Sequence, residues 1–346
     1  MNLNLKINLI QFSLCLLLFS CGNNKQEVAN EKTKEFTEYY FNKKIKRVFD
    51  GYIADGDTIY NGEYKGYHEN GQLSFIGKYV NDKSEGEYKW YNENGQISYI
   101  VKYFNDKKEG EGKAYHENGQ LESIVKYVKG EKEGEFKEYH ENGQLSYIVK
   151  FVNDKKEGEG RGYHEKGQLE SIVKFVNGKE EGEFKGYHEN GQLESIGKFV
   201  NGKVEGEFKY YHDNGQLSSV GKLINDKREG EFKKYHENGQ IEAIGKFVNG
   251  NINSISKLYD QNGNELFAGT INNGNGTAYS YHDNGVIKRI EVCENGKILW
   301  VVHEQDKFGK PVKEPSSIKN GTGEIYIYGK NGEIEFKRKY IDGFEQ

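Results

Sequence analysis

One unit of 24 residues, written again and again, dominates this sequence of 346 residues. The stretch EFKEYHENGQLSYIVKFVNDKKEGE, from Glu135 to Glu159, contains the fourth copy and the first residue of the next period. The tyrosine of the unit recurs nine times at an unbroken spacing of 24, at Tyr67, Tyr91, Tyr115, Tyr139, Tyr163, Tyr187, Tyr211, Tyr235 and Tyr259, and two looser copies follow at Tyr281 and Tyr328. Repeats of this kind contact mainly their neighbours, so that stability adds along an extended array.

A glycine stands four residues after each of these tyrosines, and an asparagine nearly always precedes it. Asn-Gly between two alternating runs predicts a β-hairpin with a type I′ turn, in which both central residues have positive φ. A second glycine, beside the NDKKEG or NGKEEG segment, marks the return to the next hairpin. The sequence therefore predicts an all-β fold, an elongated antiparallel array of β-hairpins in meander order with a period of 24.

A two-residue turn at Asn142 and Gly143 fixes the pairing of the fourth hairpin. The predicted pairs are His140 with Leu145, Glu138 with Tyr147, Phe136 with Val149 and Gly134 with Phe151. In the last pair an aromatic ring would cover the bare backbone of a glycine. One face of the sheet is then mainly aromatic, and the other is mixed and more charged.

Composition supports this organisation and limits the function. Only 34% of the residues are apolar, which makes a large conventional core unfavourable, and the 26 Tyr and 19 Phe offer rings that bury area instead. The net charge is −5, with Lys and Glu interleaved. Such mixing creates no basic field, so no nucleic-acid partner is expected.

The first 21 residues differ in kind from the repeats. Lys6 precedes an apolar run from Ile7 to Ser20 that is too short for a typical membrane span. The run ends in LFSC, which resembles a bacterial lipoprotein signal and implies lipidation of Cys21 as the mature N-terminus, although Phe19 departs from the commonest pattern. The protein is then expected to be exported and anchored at the periplasmic face or the cell surface. An ordinary secretory signal or a short membrane anchor is the alternative, and Cys293, alone after processing, leaves no internal disulfide.

The remaining chain divides by its regularity. Residues 22–34 are expected to form a polar tether, residues 35–61 a degenerate N-terminal capping hairpin, residues 62–250 the regular repeats and residues 251–346 degenerate C-terminal repeats or a cap. Within the last of these, the stretch from Ile298 to Pro315 is the least repetitive and contains Trp300 and both prolines.

The repeating pattern G-E-F-K-x-Y-H-E-N-G-Q-L-x-x-I-x-K-F-V-N-G-K resembles the bacterial MORN-repeat variant found in proteins often labelled YwqK-type antitoxins. The resemblance is strong from Gly62 to Gly250 and weak from there to Gly343. It implies a repetitive hairpin sheet that acts in protein or lipid binding, with no catalytic residue to carry over. Antitoxins generally act in the cytosol, whereas LFSC predicts export.

Two polar positions recur in the repeats and are of the residue types that metal binding and catalysis use. Eight of the nine histidines follow the repeat tyrosine, at His68, His116, His140, His164, His188, His212, His236 and His282. Matching hairpins would space them about 10 Å apart, too far for neighbours to share a metal ion, so we expect no metal site and expect each His to pack beside Leu at the hairpin tip. The acids that follow them repeat one environment, whereas a catalytic pair needs two, so we expect no catalytic residue, no enzyme activity and no cofactor. The lysines of the Lys78 and Lys102 series are expected to balance these acids.

Departures from the repeat supply the candidate contacts. Gly112 and Gly160 replace an aromatic residue, and Trp90 and Tyr210 add rings. These departures could form a local groove, and drift between repeats explains them equally well. Together with Trp300, Trp90 and Tyr210 are the candidate partner contacts. The predicted function is a non-catalytic, lipid-anchored scaffold for protein interaction at the cell envelope, whose unknown partner is a toxin or an envelope protein. The alternatives are an antitoxin or immunity-type protein and a glycan- or phospholipid-binding envelope module, and self-association through the sheet edges is a further option.

Overall fold

The computed structural model describes residues 33–346 except 283, 307, 313–315, 329–333, 342–343 and 346. Cys21, the predicted signal and nearly all of the predicted tether lie outside the described residues. Every regular element in the described part of the chain is a β-strand, and no helix there could cross a membrane.

Twenty-two strands form one long sheet. They are β1 (Lys34–Tyr39), β2 (Ile45–Ala54), β3 (Asp57–Tyr67), β4 (Leu73–Val80), β5 (Lys83–Ser84), β6 (Gly86–Tyr91), β7 (Ile97–Phe104), β8 (Lys107–Tyr115), β9 (Leu121–Val128), β10 (Glu131–Tyr139), β11 (Leu145–Val152), β12 (Lys155–Tyr163), β13 (Leu169–Val176), β14 (Lys179–Glu180), β15 (Gly182–Tyr187), β16 (Leu193–Val200), β17 (Lys203–Val204), β18 (Gly206–Tyr211), β19 (Leu217–Ile224), β20 (Lys227–Tyr235), β21 (Ile241–Val248) and β22 (Asn251–Leu258). Two three-stranded sheets follow, β23 (Gly276–Tyr281), β24 (Ile287–Glu294) and β25 (Lys297–Glu304), then β26 (Gly323–Tyr328), β27 (Ile334–Ile341) and β28 (Phe344–Glu345).

The long sheet is a meander. Each long strand pairs antiparallel with the strands before and after it in the chain, as β10 does with β9 and β11. In three repeats the return strand is split, so that β4, for example, pairs with both β5 and β6. The predicted all-β hairpin array with its period of 24 is therefore confirmed.

The tip of each hairpin differs from the predicted turn. The three inner pairs of the fourth hairpin are as predicted, but Leu145 lies opposite Tyr139, and the register shifts by one residue there. His140 N–H donates to the carbonyl of Gln144 and Gly143 N–H to the carbonyl of His140, both at 2.8 Å. Only the glycine has positive φ, at 82°. The tip is a four-residue turn closed by a glycine bulge, and the predicted pairing of His140 with Leu145 is wrong.

The type I′ turn lies at the other end of the repeat. Asn153 and Asp154 have φ of 49° and 63°, and Asn177 and Gly178 have φ of 52° and 85°. Positive φ at both central residues defines this turn and matches the twist of the strands. The predicted turn type therefore occurs in the return segment.

Glycine also enters the strands, for a reason other than the predicted one. Gly134 does lie opposite Phe151, but a Cβ at Gly134 would meet nothing within 4 Å. Its φ of 86° instead requires glycine, because a side chain is disfavoured in that region. The glycine allows the bulge at which the register between β9 and β10 shifts, and covering by the ring is incidental.

The two faces of the sheet have opposite character. We call the face that carries Phe136, Val149, Phe151 and their repeat equivalents the aromatic face, and the opposite face, with the equivalents of Glu135 and Lys137, the charged face. Buried clusters form on the aromatic face between neighbouring strands, around Val101 in one place and around Val149 in another. The core is thus a strip of rings and valines along one face, as the alternation predicted.

Both ends of the array carry an Arg–Glu pair. In the hairpin of β1 and β2, Arg47 Nε donates to Glu38 at 2.6 Å, and its Nη1 donates to the Tyr64 hydroxyl at 2.9 Å. Near the C-terminus, Arg289 bonds to Glu304 with both side chains buried, and also donates to the carbonyl of Tyr326. The second pair joins the two C-terminal sheets.

Candidate interaction surface

The charged face repeats one ion pair. In eight successive repeats a Lys or Arg lies beside the Glu two residues earlier on the same strand, for example Lys185 with Glu183 at 2.9 Å. The pairs are Glu63–Lys65, Glu87–Lys89, Glu111–Lys113, Glu135–Lys137, Glu159–Arg161, Glu183–Lys185, Glu207–Lys209 and Glu231–Lys233. The hydrogen bond to Glu183 raises the pKa of Lys185. The face therefore presents a periodic pattern of partly exposed, paired charges.

The lysines predicted to balance the tip acids do something else. Lys78 lies opposite Glu63 in the strand register, so this series adds cations beside the strand pairs. At the tips, Lys166, which stands where other repeats have Asn, bonds to Glu189 of the next tip at 2.8 Å. The predicted charge balance between the Lys78 series and the tip acids is wrong, because those lysines lie at mid-strand.

The histidines join neighbouring hairpins. In all eight, Nε2 lies 2.7 to 3.0 Å from the backbone carbonyl oxygen of the residue 23 positions later, as in His140 to Tyr163. A carbonyl only accepts, so Nε2 must carry the hydrogen. The predicted packing beside Leu therefore misses the main contact of these rings. Among the described residues, no group of three or more His, Cys, Asp or Glu could hold a metal ion.

The tip asparagine makes a second bond between hairpins. Asn142 Nδ2 donates to the carbonyl of Glu165 at 2.8 Å, while its Oδ1 accepts the N–H of Gln144 at 2.9 Å. Two of the first eight repeats differ: in the second, Asn92 replaces His and Asn94 Nδ2 donates to Gln96 of its own tip, and in the fifth, Lys166 replaces Asn. Where both residues are present, the His and Asn of the HEN motif clamp the next hairpin, which explains why these two recur together.

The opposite rim is fixed by acids. Glu133 Oε2 accepts the N–H of Asn153 at 3.1 Å, and Asp154 Oδ1 accepts the N–H of Lys132 at 2.6 Å. The backbone adds a bond from Asp154 N–H to the carbonyl of Lys132. Both rims thus hold each hairpin to its neighbour, and the charged face between them is a firmly supported surface.

The predicted groove at Gly112 and Gly160 is absent, because rings fill it. A Cβ at Gly160 would lie 2.7 Å from the Tyr147 hydroxyl and 2.9 Å from Phe175. At Gly112 the hydroxyl of Tyr99 takes the same place, at 2.9 Å. The missing ring of one repeat is replaced by a tyrosine of the preceding repeat.

Cations lie over these rings. Lys156 Nζ is 4.8 Å from the ring centre of Tyr147 and 5.0 Å from that of Phe175. Lys108 repeats the arrangement over Tyr99 and Tyr127. Burial raises the pKa of Tyr147 to about 12. Neutral tyrosine side chains and the lysines above them therefore cover the aromatic face. The charged face is the more accessible of the two.

The three predicted contact residues lie apart. Trp90 on β6 is half-buried against Tyr88 and Tyr99, with ring centres 5.8 and 5.5 Å away. Tyr210 on β18 is 45% exposed, and Trp300 on β25 is 37% exposed. The structure does not bring them together, and their role as contacts stays a prediction.

Two features went unnoticed in the sequence. The buried pair of Arg289 and Glu304 gave no periodic signal, since it lies where the repeat is degenerate. Exposed apolar side chains also gather on the hairpin of β1 and β2, where Tyr39 is 61% exposed and Phe41 fully so. The alternation of that segment could have revealed the second feature.

The fold and surface define an all-β hairpin repeat protein. A family model of the MORN repeat variant matches eight consecutive stretches, residues 60–81, 84–105, 108–129, 132–153, 156–177, 180–201, 204–225 and 228–249. These stretches make up just over half of the chain, which therefore belongs to the MORN repeat variant family.

Other comparisons add little. A comparison with curated proteins gives no match. The crystal structure of TcdB2-TccC3-Cdc42 is 11% identical over 89% of this chain and 19% of its own, with a TM-score of 0.16. The Photorhabdus luminescens Tc holotoxin pore is 11% identical over 89% of this chain and 16% of its own, with a TM-score of 0.15. This chain spans less than a fifth of the length of either, and such scores carry no argument.

Proposed function

We propose that this protein is a non-catalytic, lipid-anchored scaffold that binds a protein partner at the cell envelope through its charged face. MORN repeat proteins are generally non-catalytic scaffolds for protein or lipid interaction, and membership of the family supports such a role here. The observation that carries the proposed binding by the charged face is the row of eight ion pairs, repeated in register on strands whose rims are fixed.

The binding mechanism is multivalent. Each repeat offers a similar weak patch, and several patches engaged together add up to useful affinity. Fixed rims lower the ordering cost of binding, because little of the surface has to be immobilised. Because acids and cations alternate along the face, it attracts a partner with a complementary pattern of charges more than a uniformly anionic bilayer.

Anchoring rests on the N-terminal sequence. The full-length protein is expected in the membrane fraction, and Cys21→Ser should abolish incorporation of a labelled fatty acid. Fatty-acid labelling that persists in Cys21→Ser, or a wild-type protein found only in the aqueous fraction, would remove lipid anchoring from the proposal.

Partner binding is tested by recovery of proteins from solubilised envelope on the full chain. One variant ends at Gly250, and a second changes four acids of the charged face to Gln. The matched control changes four tip acids to Gln, with the same loss of charge. The charged-face acids are Glu111, Glu135, Glu183 and Glu207, and the tip acids are Glu117, Glu141, Glu165 and Glu237.

The proposal expects a specific protein that is retained by the variant ending at Gly250 and by the tip variant, and lost from the charged-face variant. Recovery only by chains that contain residues 251–346 would place recognition in the C-terminal segment instead. Equal recovery by all variants, or none, would count against the charged face.

A further inference from the structure

The long sheet has an open edge at its N-terminal end. In the described part of the chain, β1 pairs with β2 alone, so its outer side faces no other strand. An open edge presents unpaired N–H and carbonyl groups and is a template for another strand unless it is protected. The edge carries neither proline nor an outward bulge, since its one irregularity, at Glu38 and Tyr39, lies at the tip.

A stack of aromatic rings runs out to this edge. Phe36 stacks on Phe49 at 5.3 Å, Phe49 on Tyr64 at 5.5 Å, and Tyr64 on Phe75 at 5.3 Å, each pair within 21° of parallel. These rings come from β1, β2, β3 and β4 in turn. Phe36 is the last ring, and its outer side lies at the edge of the sheet.

The same hairpin carries exposed apolar side chains. Tyr39 is 61% exposed, Ile45 is 41% exposed and Phe41 at the tip is fully exposed. Apolar residues gathered beside an unpaired strand mark an interaction site more than isolated ones do.

We propose that a second copy of this chain completes the edge, with the two β1 strands antiparallel and centred on Phe36. In this register Phe36 faces Phe36 of the second copy, and Lys34 faces Glu38 of the second copy on the same face of the sheet. The two-fold symmetry makes the Lys–Glu contact twice. Glu38 gives one oxygen, Oε2, to Arg47, and a carboxylate can accept from Lys34 through the other.

Charge selects this register over its neighbours. Centring the pair on Glu35 would place Glu35 opposite Glu35 of the second copy, and like charges directly opposite are destabilising. Centring it on Thr37 would place Phe36 opposite Glu38. Only the register centred on Phe36 joins ring with ring and cation with anion.

We assign the open edge of β1 to a second copy of the chain because the strand is complementary to itself under two-fold symmetry. The inference rests on the proposed function in one respect, since two chains anchored in one membrane meet at high effective concentration. In the proposed pair the two Lys34 residues stand about 13 Å apart, four residues along a strand, which short tethers to a common surface can span.

Cysteine cross-linking of the full-length protein tests the register. Phe36→Cys should give a covalent dimer on mild oxidation, because residue 36 faces itself at a distance that a disulfide can bridge. Lys34→Cys is the matched control and should not cross-link with itself. A mixture of Lys34→Cys with Glu38→Cys should cross-link again. Native cysteines are controlled by the unsubstituted chain, and Cys293 is buried.

Charge-reversal variants give a second test of the dimer register, and they require no added cysteine. Lys34→Glu alone and Glu38→Lys alone should each weaken the dimer roughly tenfold, and mixing the two should restore it as a heterodimer. Because Glu38 also bonds Arg47, circular dichroism must first show that Glu38→Lys is folded; if it is not, Lys34→Glu and the cross-links decide.

The proposal would be overturned if Lys34→Cys cross-linked efficiently with itself. It would also be overturned if Phe36→Cys gave no covalent dimer, either in the membrane or at any protein concentration. Either result leaves partner recovery by the charged face unaffected, so the two proposals fail separately.

Discussion

The ring of Tyr147 fills the space that Gly160 leaves in the next repeat. Two substitutions, one at each position, should therefore compensate each other. Gly160 has no positive φ, so its backbone accepts a side chain. Gly160→Phe would restore the residue that Phe136 and Phe184 supply in neighbouring repeats. The new ring would collide with Tyr147, whose hydroxyl lies 2.7 Å from the Cβ position. Overpacking of this kind costs about 1–3 kcal/mol.

The second substitution removes the collision. Tyr147→Ser introduces the residue that Ser123 and Ser171 supply at the same repeat position. Alone it leaves a gap beside Gly160 and should cost about 2–3 kcal/mol, less than the loss of a fully buried ring, because Tyr147 is only partly buried. In the double variant the new Phe fills the gap. We expect its free energy of unfolding to lie within about 1 kcal/mol of that of the original chain. Since the two single costs add to about 3–6 kcal/mol, the coupling is at least about 2 kcal/mol.

Hydrogen exchange of peptides from β11, β12 and β13 is the suitable assay. A repeat array need not unfold in two states, and exchange reports local opening where the substitutions lie. The change in protection gives the free energy of opening for each variant. Additive costs, with the double variant the least stable of all, would refute the reasoning.

Three further outcomes follow from the contacts. Asn92→His should supply the missing bond to the carbonyl of Tyr115 and stabilise the second junction by about 0.5–1.5 kcal/mol, measured as slower exchange of β6 and β8. Tyr147 should stay neutral up to about pH 12, whereas unfolding lowers its pKa to near 10. Since the folded state then holds more protons, its stability contribution is complete below about pH 10 and is lost as the pH rises to 12, which phenolate absorbance and unfolding together can follow. Glu304→Gln should remove the close partner of the buried Arg289 and leave it only Glu291, at 3.6 Å. The cost should stay below the roughly 3–5 kcal/mol of a fully unpaired buried charge and should be seen as selective proteolysis within residues 276–341.

The fold could be predicted from the sequence because the sequence repeats every 24 residues and alternates within each strand. Alternation placed Phe136, Val149 and Phe151 on one face, and these residues do face the packed side. The turns were harder, because Asn-Gly fits more than one turn type. Whether Asn142 adopts positive φ depends on where its amide finds partners, and one partner is a carbonyl of the next hairpin.

Contacts between repeats were not predicted, because the sequence pattern was interpreted one repeat at a time. The clamp from His140 to Tyr163 joins positions 23 apart, and nothing within a single hairpin announces it. The contact between Tyr147 and Gly160 could have been predicted from the sequence, since both residues depart from the repeat and lie in adjacent copies. The buried Arg289 had no such signal, because its partners come from degenerate segments without a fixed register.

The central claim is that binding is spread over the repeats, and changing their number tests it most directly. Deleting residues 180–203 joins Lys179 to Val204 and removes one period in register, and deleting residues 180–227 removes two. Recovery of the specific envelope protein should fall stepwise from the full chain to one and then two missing repeats, with the C-terminal segment intact throughout. Recovery that is unchanged by both deletions, and lost when the chain ends at Gly250, would contradict the account and make the repeats a spacer.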